Sequence, residues 1–137
     1  MFEQINQKKA LLDANRPLPK YTLTSLREKL LLEWTYNSNA IEGNTLTINE
    51  TKIVLEGITV GGKTMREHLE VTNHQDAIIY VEEIVKKCEP LSEWQIKNLH
   101  QLVLKGLDDK YAGVYRDQQV FIFFGAGRPL PQGMNRA

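Results

Sequence analysis

Three groups of residues have types and spacings that could do chemistry. Gly57, Gly62, Lys63 and Thr64 satisfy GxxxxGK[ST], the loop whose backbone amides cradle nucleotide phosphates while its lysine reaches the terminal ones. His68, His74 and His100 are the residue type most used for proton transfer near neutral pH. Ser38 and Glu42 stand four apart, ahead of Gly43 and Asn44, in the segment SNAIEGN. On its own this segment reads as a helix ending at Gly43 with an exposed glutamate and a polar turn.

The phosphate-loop pattern fails on its surroundings. Its mechanism needs a buried parallel strand entering the loop, a helix leaving it, and an acidic residue ending a second strand to hold magnesium. Upstream, Thr47 and Glu50 cap a helical stretch through Ile53, Val54 and Leu55, and the run VFIFF ends in glycine rather than aspartate. The alternating strands of a doubly wound sheet are missing as well. The segment is therefore expected to be a helix-to-helix turn with Thr64 as the N-cap. The three histidines each fall inside a predicted helix and read as helix-face residues. Cys88, the only cysteine, excludes an internal disulfide and a cysteine-rich zinc site, and is expected as a half-buried thiol at a helix end.

The elements that must position these residues are mostly helical. A Ser or Thr followed three residues later by Glu or Gln satisfies two unpaired amides reciprocally, and four such pairs predict four helix starts: Ser25 with Glu28, Thr47 with Glu50, Thr64 with Glu67, and Ser92 with Gln95. Leu26, Leu30 and Trp34 form one apolar stripe and Ile96, Leu99 and Val103 another. Val71, Ile78, Val81 and Val85 predict a buried stripe on the longest helix, which Pro90 stops after Cys88. Pro17 and Pro19 set off a short N-terminal helix. Gln119 to Phe124 is β-branched and aromatic and predicts one strand or a hairpin, and the tail GRPLPQGMNRA has little to bury.

At 137 residues one compact domain is expected. Basic and acidic residues balance at 17 each, so no overall field draws the chain to nucleic acid or an anionic membrane. No apolar run is long enough to span a bilayer and the N-terminus lacks a secretory core, which predicts a cytoplasmic protein.

From Ser38 to Glu50 the chain reads SNAIEGNTLTINE, and here it resembles the Fic family, whose inhibitory motif is (S/T)xxxE(G/N). RPLP at 16 to 19, SLREKL at 25 to 30, GGKTMREHLEV at 61 to 71 followed by Asn73 and Ala77, and GVYRDQQVFI at 113 to 122 resemble further blocks of that family in its own order. The resemblance implies a mainly α Fic-like helical bundle with a small β-hairpin, the flap, near the C-terminus. Residues 1–20 would be an N-terminal segment and 21–137 a partial Fic-like domain, with an inhibitory helix over about 25–43 and a flap over about 115–130.

The implied activity is transfer of AMP from ATP, with magnesium, to a protein hydroxyl. By resemblance Glu42 is the inhibitor, pairing with the arginine that would receive ATP's terminal phosphate. Ser38 helps hold the helix, and Gly43 and Asn44 shape its end. Gln119, Val120, Phe121, Ile122 and Phe123 would form the first flap strand, which docks a protein target by main-chain hydrogen bonds. The catalytic signature HPFx(D/E)GNGRxxR does not occur in the 137 residues, which implies truncation before that motif, no catalytic residue, no metal ligand and no cofactor for this chain alone. Its partners would be a protein target or a Fic catalytic region. The alternatives are a noncatalytic helical binding module, such as an antitoxin-like inhibitor acting in trans, and a folded remnant whose uncovered apolar faces favour a homo-oligomer.

Overall fold

Proline and capping chemistry divide the chain into helices in a computed structural model that describes residues 2–117 and, for the backbone alone, 123–124 and 128–129. The helices are α1 (Phe2–Ala14), α2 (Lys20–Ile41), α3 (Ile48–Leu55), α4 (Met65–Lys86) and α5 (Glu93–Leu104). Capping boxes open α3 at Thr47, α4 at Thr64 and α5 at Ser92, each closed by the expected Glu50, Glu67 or Gln95.

The fourth expected start is different. Ser25 and Glu28 lie inside α2, which begins five residues earlier behind Pro19. Lys20 to Thr24 contain no glycine or proline, so the helix extends back one hydrogen bond per residue until the proline, whose φ of −54° suits the entry to a helix. Helix α2 also stops at Ile41, short of the expected Gly43.

Helix α4 is the centre of the bundle, packed against α2, α3 and α5. It equals α2 in length at 22 residues, so the expected longest helix has an equal. Three polar ties fix α2 antiparallel along it: Arg27 with Glu82, Thr35 with His74, and Asn44 with Glu67 and Glu70. Going from the first tie to the second, both helices advance by eight residues in opposite directions, the signature of two rods in constant register. A small core lies where the end of α2, α3 and α4 converge. Leu46, Val54 and Val71 are buried there, with Leu55 and Val60 packed against them.

The predicted apolar stripes are only partly covered. Val71 and Ile78 are buried, but Val81 and Val85 are exposed, as are Leu26, Leu30 and Trp34 on α2 and Ile96 and Val103 on α5. Helix α3 has only eight residues, about 12 Å, and reaches one end of the α2/α4 pair. The other end keeps an open apolar groove of about 340 Å³ between Leu23, Leu26, Leu30 and Trp34 of α2 and Ile78 and Val81 of α4. Helix α1 has no buried residue and packs on no other element among the described residues.

Asn73, buried in α4, donates from Nδ2 to the carbonyls of Val103 and Lys105 at 3.1 and 2.7 Å and so closes the C-terminus of α5. Cys88 sits just past α4 with a left-handed φ of 53°, beyond the packed length of the helix, and is exposed rather than half-buried. Two two-residue strands, β1 (Phe123–Phe124) and β2 (Arg128–Pro129), pair antiparallel with Phe123 opposite Pro129. Gln119, Val120, Phe121 and Ile122 of the expected flap, and the last eight residues of the tail, lie outside the described residues. Among the described residues no helix is long and apolar enough to cross a membrane.

Candidate functional site

The end of α2 carries Ser38, Glu42, Gly43 and Asn44 and is closed by backbone geometry. Gly43 has a left-handed φ of 95°. Its N–H donates to the Ala40 carbonyl at 3.1 Å, and the Asn44 N–H donates to the Asn39 carbonyl at 3.0 Å. This double closure is a Schellman motif with Glu42 as the last half-helical residue, and it needs the left-handed position that glycine occupies without steric cost. A Cβ at Gly43 would meet nothing within 4 Å, so the cost of a side chain there lies in the backbone alone. Gly43→Ala is expected to lower stability by about 1 kcal/mol, and Gly43→Asn by less, because asparagine tolerates the left-handed region. Urea unfolding of the two variants would measure the difference, and equal losses would contradict it.

Glu42 is exposed; its N–H donates to the Asn39 carbonyl at 3.1 Å, but its carboxylate has no hydrogen bond or ion pair among the described residues. Ser38, one turn earlier, is half-buried and makes no side-chain hydrogen bond among them. Asn44 is what ties this end to the bundle. Its Nδ2 donates to the Glu67 carbonyl and to Glu70 Oε2, each at 3.0 Å, while its Oδ1 accepts from the Leu46 N–H at 3.0 Å.

Glu67 completes the support. Its carboxylate accepts from the hydroxyl and N–H of Thr45 and from the N–H and hydroxyl of Thr64. These donors, led by the Thr45 hydroxyl, hold the Glu67 carboxyl down at about 2. The Thr47 donors, backbone first, likewise lower the Glu50 carboxyl. A carboxyl whose folded pKa is depressed stabilises the fold above its unfolded pKa, near 4.3, and this stability is lost as pH falls towards the folded value. Stability is therefore expected to decline between about pH 5 and pH 2, and Glu67→Gln to flatten that decline. Chemical denaturation at pH 6 and pH 3 would test it, a parallel loss in both proteins being the contrary result.

Residues 57–64 join α3 to α4, as expected of a helix-to-helix turn, and Thr64 caps α4. Lys63 is not available for a phosphate. Its Nζ donates to the Thr45 carbonyl at 2.6 Å and to Thr45 Oγ1 at 3.1 Å, and stands 3.6 Å from Glu50. Sequence reasoning missed this lysine as a strut, although its place one residue before a capping threonine was visible.

Each histidine is hydrogen-bonded within the fold. His68 is buried, its Nε2 accepting from the Val60 N–H at 2.9 Å, which leaves Nδ1 to donate to the Thr64 carbonyl at 2.7 Å. His74 stands 3.2 Å from Thr35 Oγ1 and edge-on to Trp34, and burial lowers its pKa. His100 Nδ1 accepts from the Gly113 N–H at 3.0 Å. Among the described residues no group of three or more His, Cys, Asp or Glu side chains is placed to hold a metal ion.

No protein-family model matches the chain. It is similar to the protein adenylyltransferase Fic of Nematostella vectensis, with 33% identity over 126 residues that cover 89% of this chain and 29% of that protein. It is also similar to the protein adenylyltransferase fic-1 of Caenorhabditis elegans, 35% identical over 100 residues, 71% of this chain and 20% of that one. The chain thus spans less than a third of these curated relatives. In three dimensions it resembles a Fic-domain-containing signalling protein from Bacteroides thetaiotaomicron, with a TM-score of 0.83 and 29% identity over 90% of this chain and 47% of that chain. Fic-1 of Caenorhabditis elegans gives a TM-score of 0.71 at 31% identity, over 88% and 39%.

Proposed function

The chain belongs to the Fic family, and on that premise we propose that it is the inhibitory and flap-bearing portion of a protein AMP-transferase. Its complete activity is transfer of AMP from ATP to a protein hydroxyl, and the 137 residues do not catalyse it alone, since they contain no HPFx(D/E)GNGRxxR segment. Glu42 is the inhibitory carboxylate.

The observation that carries this reading is the presentation of Glu42. A carboxylate stands exposed at a helix end closed by two backbone bonds and clamped to α4 through Asn44, with no countercharge among the described residues. Such a group is placed to meet a cation outside this set of residues. An arginine that would otherwise receive ATP's terminal phosphate matches it in charge and bidentate geometry. Gln119, Val120, Phe121, Ile122 and Phe123 are assigned to the target-docking flap, where an extended peptide adds as a strand.

The same exposure supports a second reading, in which Glu42 enters a separate Fic enzyme and this chain acts as an inhibitor in trans. Denaturing mass spectrometry of the product of the native gene separates the two. A mass well above 15.7 kDa places the transferase activity and Glu42 in one chain. A mass near that value leaves inhibition in trans, tested by titrating the chain into a Fic transferase and following AMP incorporation into protein. A chain of that mass without effect on transfer would sink both readings.

A further inference from the structure

Of the three ties between α2 and α4, only the middle one is made by a fully buried residue. Arg27 and Glu82 meet through Nε at 3.1 and 3.2 Å with both side chains about half exposed, so solvent screens the pair and competes for it. Asn44 is partly buried at the other end. Between them Thr35 is 0% exposed, and its Oγ1 lies 3.2 Å from His74 Nδ1. Trp34 covers the pair with its ring edge-on to the imidazole, the centroids 6.1 Å apart at 81°.

A polar pair has a directional requirement that the apolar side chains beside it lack. Leucine and isoleucine side chains along α2 and α4 tolerate a shift of one helix along the other, because hydrophobic contact is non-directional. A hydroxyl and an imidazole nitrogen do not: sliding α2 by one turn, about 5.4 Å, parts them and leaves the buried Thr35 hydroxyl without this partner.

We infer that Thr35 and His74 form the pin that sets the axial register of α2 on α4, and through it the position of Glu42 two turns further along. This inference rests on the reading of Glu42 as the inhibitory carboxylate. Thr35 and His74 are positioning residues: neither touches a reacting group. Glu42 lies between two of the three ties to α4, His74 on one side and the Glu67/Glu70 pair on the other. These holding residues lie along one stripe of α4, at successive spacings of three and four residues. Removing the middle point leaves the rod tied only by the half-exposed Arg27–Glu82 pair and by Asn44 near its tip.

Amide hydrogen exchange on this chain tests the pin without any assay of transfer. Thr35→Val keeps the shape of the side chain and removes the hydroxyl, and His74→Phe keeps an aromatic ring and removes both nitrogens. Each is expected to speed exchange at the amides of residues 36–44 roughly tenfold, with α5 amides unchanged, while Thr35→Ser, which keeps the hydroxyl, restores the original rates. Unchanged exchange at 36–44 in both variants would overturn the pin, as would a rise shared equally by α5 or a failure of serine to rescue. Glu42→Ala separates this from the functional reading. It leaves exchange at 36–41 unaltered, and if it also leaves inhibition unaltered, the reading of Glu42 falls while the exchange result still decides the pin. Where Glu42 does inhibit, Thr35→Val weakens that inhibition and Thr35→Ser restores it.

Discussion

Replacing Glu42 by alanine is expected to raise AMP transfer by roughly 10- to 100-fold in a protein that joins this chain to a Fic catalytic segment, or to abolish inhibition in trans by a similar factor. The size follows from what is removed. A charge-assisted hydrogen-bonded pair contributes about 1.5–3 kcal/mol, and each 1.4 kcal/mol is tenfold in an equilibrium that excludes correctly placed ATP. Glu42→Gln isolates the charge, because the side chain keeps its length and one acceptor oxygen. It should recover most of the effect, since an amide repels the terminal phosphate far less than a carboxylate does. Neither change should cost stability, because Glu42 is exposed and makes no contact that the fold needs. Labelling of target protein with ATP, read beside melting temperatures, checks both halves. Equal transfer by wild type and Glu42→Ala would remove Glu42 from the mechanism. A large gain accompanied by unfolding would mean that the helix, not the charge, was lost.

Much of the scaffold was legible in the residues. Three of four capping pairs open helices where reciprocal hydrogen bonding requires, and the rejection of a phosphate loop at Gly57 to Thr64 follows from the helices on both sides of it. The failure at Ser25 shows the limit of the rule: a capping pair marks a possible start, and uninterrupted helical propensity back to Pro19 overrides it. Periodicity likewise reports that a helix has an apolar face without reporting what covers it. Leu26, Leu30 and Trp34 recur with the same regularity as buried residues, yet the short α3 leaves them open. Least legible were the polar residues that join elements far apart in sequence. Asn44, Lys63, Asn73 and His74 each act through a partner at least 18 positions away, so no local pattern carries their role. Asn73 and His74 did leave one trace, as polar residues adjoining the buried stripe of α4 that begins at Val71 and continues at Ile78.

The largest stability loss should come from Leu46→Ala. Leu46 is 3% exposed and fills the junction with Val54 and Val71, and its N–H is fixed by Asn44 Oδ1. Deleting a buried leucine side chain to its Cβ costs about 2–4 kcal/mol, from lost transfer energy and the cavity left behind. That is a large share of the roughly 5–15 kcal/mol that holds a domain of this kind together, and should lower the melting temperature by roughly 6 to 16 °C. The control is Leu26→Ala, chemically identical but 44% exposed on the uncovered face of α2, where the loss should stay under about 1 kcal/mol. Comparable losses in the two variants would mean that the α2/α4 groove is covered in solution and the core larger than the three converging helices provide. On the proposed reading of Glu42, the position of Leu46 also couples stability to inhibition. It lies two residues beyond Asn44, so the cavity opens beneath the clamp that holds the end of α2. Leu46→Ala should therefore relieve inhibition increasingly as temperature approaches its lowered melting point, whereas Glu42→Ala relieves it at every temperature at which the fold is intact. A temperature series of transfer rates distinguishes loss of the charged group from loss of the support beneath it.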